Sequence, residues 1–287
     1  NQGMILAYSY RDARGKYHHP DDTEQREESV TVEMSWSSDP VTTNHFLKSD
    51  GTPVGSQVEK MSKSKKNVVD PLDIVKEYGA DTLRMYEMFM GPLEQVKPWQ
   101  TSGCDGILRF LNRAWRLLID EESGELRPLA DESPKAVRKA LHQAIKETTE
   151  GIEALKFNTP VSRMMEFVNA CKNQPPSRED AEAFVLILSP YAPHIAEELW
   201  QKLGHDQTLA EESWPEWDPA ALIDDQIKIA VQVMGKLRGT IEVSKDASKD
   251  DVLASAKANE NVARHLEGKQ MIKEIYVPGR LVNFVAR

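Results

Sequence analysis

The chain has 287 residues, 40% hydrophobic and 29% charged, which is the balance of an ordinary globular protein and excludes a disordered or fibrous one. A formal net charge of −10 excludes a protein that coats nucleic acid through its global charge, although a local basic face can still hold phosphates within an acidic whole. The longest apolar run, AFVLIL, is far short of the roughly 20 residues that a bilayer span needs, no secretory leader is visible at NQGMILAYSY, and the length predicts two or three compact units of about 100–200 residues or fewer.

Asn1 is not an initiator, and the opening residues read like the middle of an element, so a fragment of a longer protein is expected. From Tyr8 to Gln57 the sequence is polar with strand-like alternation at SVTVEMSW, which predicts a small, mostly β insertion. Next comes VEKMSKSKKNVVDP, Val58 to Pro71, with four lysines between Lys60 and Lys66 interleaved with Ser62 and Ser64. Asp70 is a good N-cap and Pro71 suits the first helical position, so PLDIVKEYG forms a short helix stopped by Gly79, and ADTLRMYEMFMG a second. The lysines therefore lie in a loop that feeds a helix N-terminus.

From Ser102 onward a 3.6-residue period dominates. Ile107, Leu108, Leu111, Ala114, Trp115 and Leu118 share one helical face. Val137, Leu141, Ile145, Thr148, Ile152 and Leu155 share another. Further helices start at Asn158, at Ser177 and at Pro193, the last carrying Ile195, Leu199, Trp200 and Leu203, and five amphipathic helices predict a bundle. Cys104 and Cys171 fall on such faces, outside any CxxC pair, and read as core thiols of a reducing cytoplasm rather than metal ligands. ESWPEWDPAAL ends the bundle as a packed connector. Ile227 to Val233 alternate strictly, Gly235 breaks the run, and Leu237 to Val243 give a second strand. Ser248 and Asp251 resemble a capping box, and KEIYVPGRLVNFVA reads as two strands around a Pro-Gly turn, which predicts a β-β-α-β-β unit.

Phosphoryl and adenylyl transfers leave negative charge on departing oxygens, and ammonium groups on flexible stems suit such a charge. A loop can close over a polyphosphate and reopen. Composition alone favours a solvated basic loop. KMSKS at Lys60–Ser64, with KKNVVDP and YGADTLRMY through Asn67, Gly79, Ala80, Asp81 and Arg84, resembles the signature loop of class I aminoacyl-tRNA synthetases. PYAPHIAEELWQKLG and WPEWDP are similar to the anticodon-binding bundle of the subgroup for branched aliphatic amino acids and methionine. VQVMGKLRGTIEV, IYVPGRLVNFV and the polar stretch before Lys60 look like the bacterial leucyl branch, and the resemblance covers essentially the whole chain.

That resemblance implies a fold class that is mainly α with α+β parts. Residues 1–57 would end the catalytic domain and carry a leucine-specific insertion; 58–100 would hold the loop of a Rossmann-like catalytic domain and the helical segment after it. Residues 101–222 would be the anticodon-binding bundle, and 223–287 a small C-terminal tRNA-binding domain. It implies ATP, with Mg2+, as cofactor, and tRNA(Leu) and leucine as partners of a cytoplasmic monomer. Lys63 would contact ATP phosphates and stabilise the adenylation transition state, Lys60 would hold the closed loop or the pyrophosphate, and Met61, Ser62 and Ser64 would shape it. Lys65 and Lys66 either share this work or merely solvate the loop.

Arg109, Arg113 and Arg116 share a helical face suited to RNA phosphates, but Asp105 and Asp120 stand four residues from the outer two, and a salt-bridged solvent face is the stronger expectation. Lys236, Arg238 and Arg280 flank the turns of the terminal unit and are candidate tRNA phosphate contacts. His194 reads as a packing or capping histidine. YHHPDD lacks the spacing of the class's HIGH histidines, and no threonine-rich editing domain is present, so the polypeptide alone is expected to be inert. The competing readings are a freestanding tRNA-binding module, a helical scaffold with a basic localisation tag, and a valyl, isoleucyl or methionyl fragment.

Overall fold

Short antiparallel strands build the first part of the chain. β1 (Ile5–Arg11), β2 (Tyr17–His18), β3 (Thr23–Val32), β4 (Val41–Leu47) and β5 (Pro53–Lys60) order as β2-β1-β5-β4-β3. Alternation buries Ala7 and Ser9 of β1, and Thr43, Phe46 and Val54 are buried as well; Gly55 is required beneath Trp36, whose ring lies 2.8 Å from where a Cβ would stand. A two-residue strand, β6 (Lys97–Pro98), pairs in parallel with Ile5 and Leu6 of β1. The sheet is otherwise antiparallel, so the described residues do not form the parallel layer of a Rossmann-like fold. The computed structural model describes residues 3–223, 226–245 and 247–287, and the chain divides into two compact units, 1–221 and 222–287.

α1 (Pro71–Tyr78) starts where Asp70 Oδ1 accepts the Leu72 N–H at 2.9 Å and stops at Gly79, whose φ of 89° needs no Cβ. α2 (Ala80–Phe89) follows directly. α3 (Ser102–Leu118), α4 (Lys135–Glu153), α5 (Asn158–Ala170), α6 (Arg178–Leu188) and α7 (Pro193–Lys202) share one apolar core with α1 and α2, centred on Met85, Phe110, Phe167, Phe184 and Tyr191. Ser177 caps α6 as expected, accepting the Asp180 N–H at 3.2 Å. Both cysteines are buried and free, and burial pushes the thiols up to about 11 for Cys104 and about 12 for Cys171.

Two face assignments need correction. Phe110 is fully buried, while Leu108 and Trp115 sit half-buried at the edge of the stripe. Leu155 is not a core residue: α4 ends at Glu153, and Leu155 lies beyond it, 60% exposed with φ of 55°. The Leu155 N–H donates to Ile152 O and the Lys156 N–H to Gly151 O at 2.7 Å, a Schellman end with leucine where glycine is favoured. A left-handed non-glycine residue costs about 1–2 kcal/mol, part of which glycine returns as chain entropy. Leu155→Gly is therefore expected to raise the unfolding free energy by about 0.5 kcal/mol, measured by urea denaturation; a loss of stability would contradict this account of the helix end.

The connector packs back on α4. Trp214 Nε1 donates to Thr149 Oγ1 at 2.8 Å, the Asp218 N–H donates to His142 Nδ1 at 3.1 Å, and Lys146 lies 5.0 Å from the Trp217 ring centroid. In the second unit, β7 (Gln226–Val233), β8 (Lys236–Ser244), β9 (Met271–Val277) and β10 (Leu281–Ala286) order as β8-β7-β10-β9. One face carries two helices rather than the single one expected. α8 (Lys249–Ala258) is capped by Ser248, and α9 (Glu260–Leu266) starts afresh at Asn259, whose Oδ1 accepts the Val262 N–H at 3.3 Å. Ile229, Val231, Val252, Val262, Val282 and Phe284 form this unit's core.

Candidate functional site

The lysine loop leaves the sheet at the end of β5, where Lys60 pairs with Leu6 of β1. Ser62 to Lys66 make a tight turn: Lys63–Lys65 are 3-10 helical, and Lys66 takes a left-handed φ of 56°. Asn67, only 2% exposed, closes the turn from below. Its Oδ1 accepts the Ser62 N–H at 2.9 Å and its Nδ2 donates to Ala7 O at 3.4 Å. The Ser62 and Ser64 hydroxyls bond each other at 2.8 Å, and Met61 packs against the helical core. The loop base is thereby fixed to both the sheet and the helices.

The lysines then divide. Lys60, Lys63 and Lys66 are exposed and make no ion pair among the described residues. Lys65 is held, its Nζ 2.8 Å from Glu59 Oε1. Glu59 also accepts from Ser9 Oγ at 2.5 Å and Tyr17 OH at 3.2 Å. Burial pushes the Glu59 carboxyl up, but the bonds from Lys65, Ser9 and Tyr17 together outweigh it and hold the group below the usual carboxylate range. With a lowered folded value, its stabilisation is complete above the ordinary Glu range near pH 4.3 and is lost as pH falls through the folded value.

α3 presents Arg109, Arg113 and Arg116 to solvent, but not in the expected ion pairs. Arg116 Nε pairs with Glu121 at 2.8 Å, and Arg113 donates to Asn169 Oδ1 at 2.7 Å. Arg109 has no ion pair among the described residues. Asp120 cannot serve Arg116 because α3 ends at Leu118: its Oδ1 accepts the Glu122 and Ser123 N–H groups of the following turn, and its Oδ2 pairs with Arg127. Arg113 and Arg116 line an open groove of about 720 Å³ with Arg127, Lys172, Asn169 and Asn173, a setting that leaves Arg109 outside. Arg127 lies on a loop with no periodic signal, and Lys172 in the single 3-10 turn (Cys171–Asn173) that ends α5, so neither is marked by a helical face in the sequence.

In the second unit, Lys236 follows the Met234–Gly235 turn, whose φ values of 52° and 77° make a two-residue hairpin loop. Because β10 runs parallel to β7, the β7–β8 and β9–β10 turns lie at opposite ends of the sheet. Arg280 therefore does not join Lys236 and Arg238. His265 instead has Arg238 and Lys269 as neighbours: desolvation, then these two positive charges, push its imidazole down.

His194 is a capping partner, as its position suggests, but the cap itself is Asp81 of α2. Asp81 Oδ2 accepts the Ile195 N–H at 2.8 Å, and Oδ1 lies 2.7 Å from His194 Nδ1. Arg84 Nε donates to Pro190 O at 3.0 Å. Asp81 and Arg84 thus fasten the segment after the loop to the α6–α7 junction, a role invisible in sequence because the partners are more than 100 residues apart.

Residues 43–97 match the family described as tRNA synthetases class I (I, L, M and V), and residues 135–253 match the anticodon-binding domain of tRNA ligase, a span that crosses the division between the two units. Leucine–tRNA ligase 1 of Rhizobium johnstonii is 48% identical over 99% of this chain and 32% of that protein. Leucine–tRNA ligase of Chlorobaculum parvum is 51% identical over 84% of this chain and 30% of that protein. Among solved structures, the LeuRS–tRNA–LeuAMS ternary complex from Agrobacterium radiobacter K84 matches with a TM-score of 0.55 at 28% identity, covering 80% of this chain and 32% of that one. No helix among the described residues is long and apolar enough to cross a membrane. The chain is thus homologous to the leucine–tRNA ligases of class I, spanning about a third of the length of these relatives.

Proposed function

We propose that this chain is the C-terminal part of a leucine–tRNA ligase, a cytoplasmic monomer that activates leucine with ATP and transfers it to tRNA(Leu). Lys63 contacts the phosphates and stabilises the charge that develops as leucine carboxylate attacks and pyrophosphate leaves. Lys60, Met61, Ser62 and Ser64 complete the loop. The parallel β1–β6 pair is the margin of the Rossmann-like catalytic fold to which that loop belongs. α3 to α7 are the anticodon-binding bundle, and the second unit steadies tRNA, with Arg109, Arg113, Arg116, Lys236, Arg238 and Arg280 as phosphate contacts. The relative solved as a ternary complex with tRNA and LeuAMS supports these partners. No group of three or more His, Cys, Asp or Glu side chains among the described residues could hold a metal ion, so Mg2+ belongs to the proposal as a companion of ATP.

The observation that carries this reading is the division of the lysines: Lys60 at the end of β5 and Lys63 on the turn whose base is fixed by buried Asn67 stand exposed, with no ion pair among the described residues. A fixed backbone turn that carries an ammonium group with no internal anion leaves that charge available to an external one. The test is leucine-dependent ATP–pyrophosphate exchange, measured on this chain and on the full-length gene product. Exchange is expected only in the full-length protein, and a full-length product without it would overturn the assignment.

A further inference from the structure

The lysine loop is bracketed by two polar anchors, and only one of them involves a lysine. Asn67 holds the backbone of Ser62. Glu59, the residue before the exposed Lys60, holds the side chain of Lys65 from a strand position whose neighbours fix the carboxylate in turn. Ser9 on β1 is fully buried, and Tyr17 on β2 lies 4.9 Å beneath the Arg11 guanidinium. The Glu59 side chain is 20% exposed and that of Lys65 28% exposed, so the pair is screened less than a fully exposed one. The turn from Ser62 to Lys66 is stabilised locally by the Lys65 N–H to Ser62 O bond at 3.0 Å and the Lys66 N–H to Lys63 O bond at 3.2 Å.

We propose that Glu59 is a positioning residue for the lysine loop: by anchoring Lys65 to the β1–β2–β5 sheet it sets the turn that presents Lys63. In this arrangement Lys65 is not a phosphate ligand, and the small sheet controls the loop through one carboxylate. The proposal rests on reading the loop as phosphate-binding, but the anchor itself is tested without ATP.

In this chain, hydrogen exchange at the Lys65 and Lys66 amides is expected to quicken about tenfold in Glu59→Gln and in Lys65→Met, the loss of a half-buried charge-assisted bond. The double variant should be no faster than either single one, because both remove the same interaction, and Lys65→Arg should retain protection. Unchanged exchange in both single variants, or additive acceleration in the double, would overturn the anchor. In the full-length protein Glu59→Gln should lower kcat of pyrophosphate exchange about tenfold while the KM for leucine stays fixed, as expected when stabilisation specific to the transition state is weakened. Unaltered kcat would overturn the positioning role. A full-length parent without leucine-dependent exchange would sink the phosphate reading alone, since amide exchange still decides the anchor.

Discussion

Replacing Lys63 by Ala in the full-length protein is expected to lower leucine-dependent pyrophosphate exchange about 100-fold while the thermal midpoint stays within about 1 °C, because removing one preorganised donor to a developing oxyanion costs about 10²–10³ in rate. The structural half of this expectation follows from Lys63 itself. It is exposed, makes no ion pair among the described residues, and occupies the first position of a turn set by Ser62, Asn67 and Lys66. Surface substitutions without such partners usually fall within about 0.5 kcal/mol. Lys63→Arg keeps the charge but replaces a compact ammonium with a planar fork and should recover only part of the rate. Exchange retained in Lys63→Ala would remove Lys63 from the chemistry. A large drop in the midpoint would instead make the turn, rather than its charge, the reason for lost activity.

Legibility in the sequence followed the range of the interaction. The start and end of α1 were readable because Asp70, Pro71 and Gly79 act within a turn of their own positions. The strand alternation of β7 was equally plain. Leu155 failed for a related reason: its spacing continues the α4 stripe, but the backbone turns left-handed first, and periodicity carries no signal for that. The break between α8 and α9 was hidden because Ala256, Val262 and Leu266 continue an apolar helical reading across Asn259. Asn259 is placed by a tertiary contact, packing so closely on β8 that a Cβ at Gly239 would stand 2.8 Å from its Oδ1. Phe110 lies outside the predicted stripe because the buried face is rotated by roughly 40° about the helix axis, away from Leu108 and Trp115 and toward Phe110.

The site divided in the same way. Four lysines within seven residues mark the loop in composition alone, yet which of them are free could not be read. Lys65 is withdrawn by Glu59, which is in turn held by Ser9 and Tyr17 from 50 and 42 residues away. That juxtaposition exists only once β5 pairs with β1 and β1 with β2. The arginines of α3 show the complementary error. Spacing of four residues suggests an ion pair only while both residues remain helical, and Asp120 does not.

The second large effect is expected at Asp81, where substitution by Ala should cost about 2 kcal/mol and lower the thermal midpoint of this 221-residue unit by about 4–8 °C. α7 begins with Pro193 after Ala192, a residue with no side chain able to cap it. Its second and third amides, on His194 and Ile195, are served instead by the two oxygens of Asp81, at 3.3 and 2.8 Å, across a gap of more than 100 residues. The charge also complements the positive end of the α7 dipole, and the Asp81 side chain is only 12% exposed. Asp81→Ala therefore leaves an N–H pair without an acceptor as well as removing the hydrogen bond to the His194 ring. Asp81→Asn keeps one carbonyl oxygen and should cost about half as much. His194→Ala should cost less than about 0.5 kcal/mol, since its ring is 76% exposed and the carboxylate still caps the helix without it. The order Asp81→Ala, Asp81→Asn, His194→Ala in chemical denaturation separates the backbone cap from the side-chain contact: equal losses at Asp81→Ala and His194→Ala would assign the stability to the imidazole. Because α2 continues directly from the helix that the lysine loop feeds, loosening this cap should also blunt pyrophosphate exchange in the full-length protein, less than Lys63→Ala does, by letting the loop's support drift from the helical core.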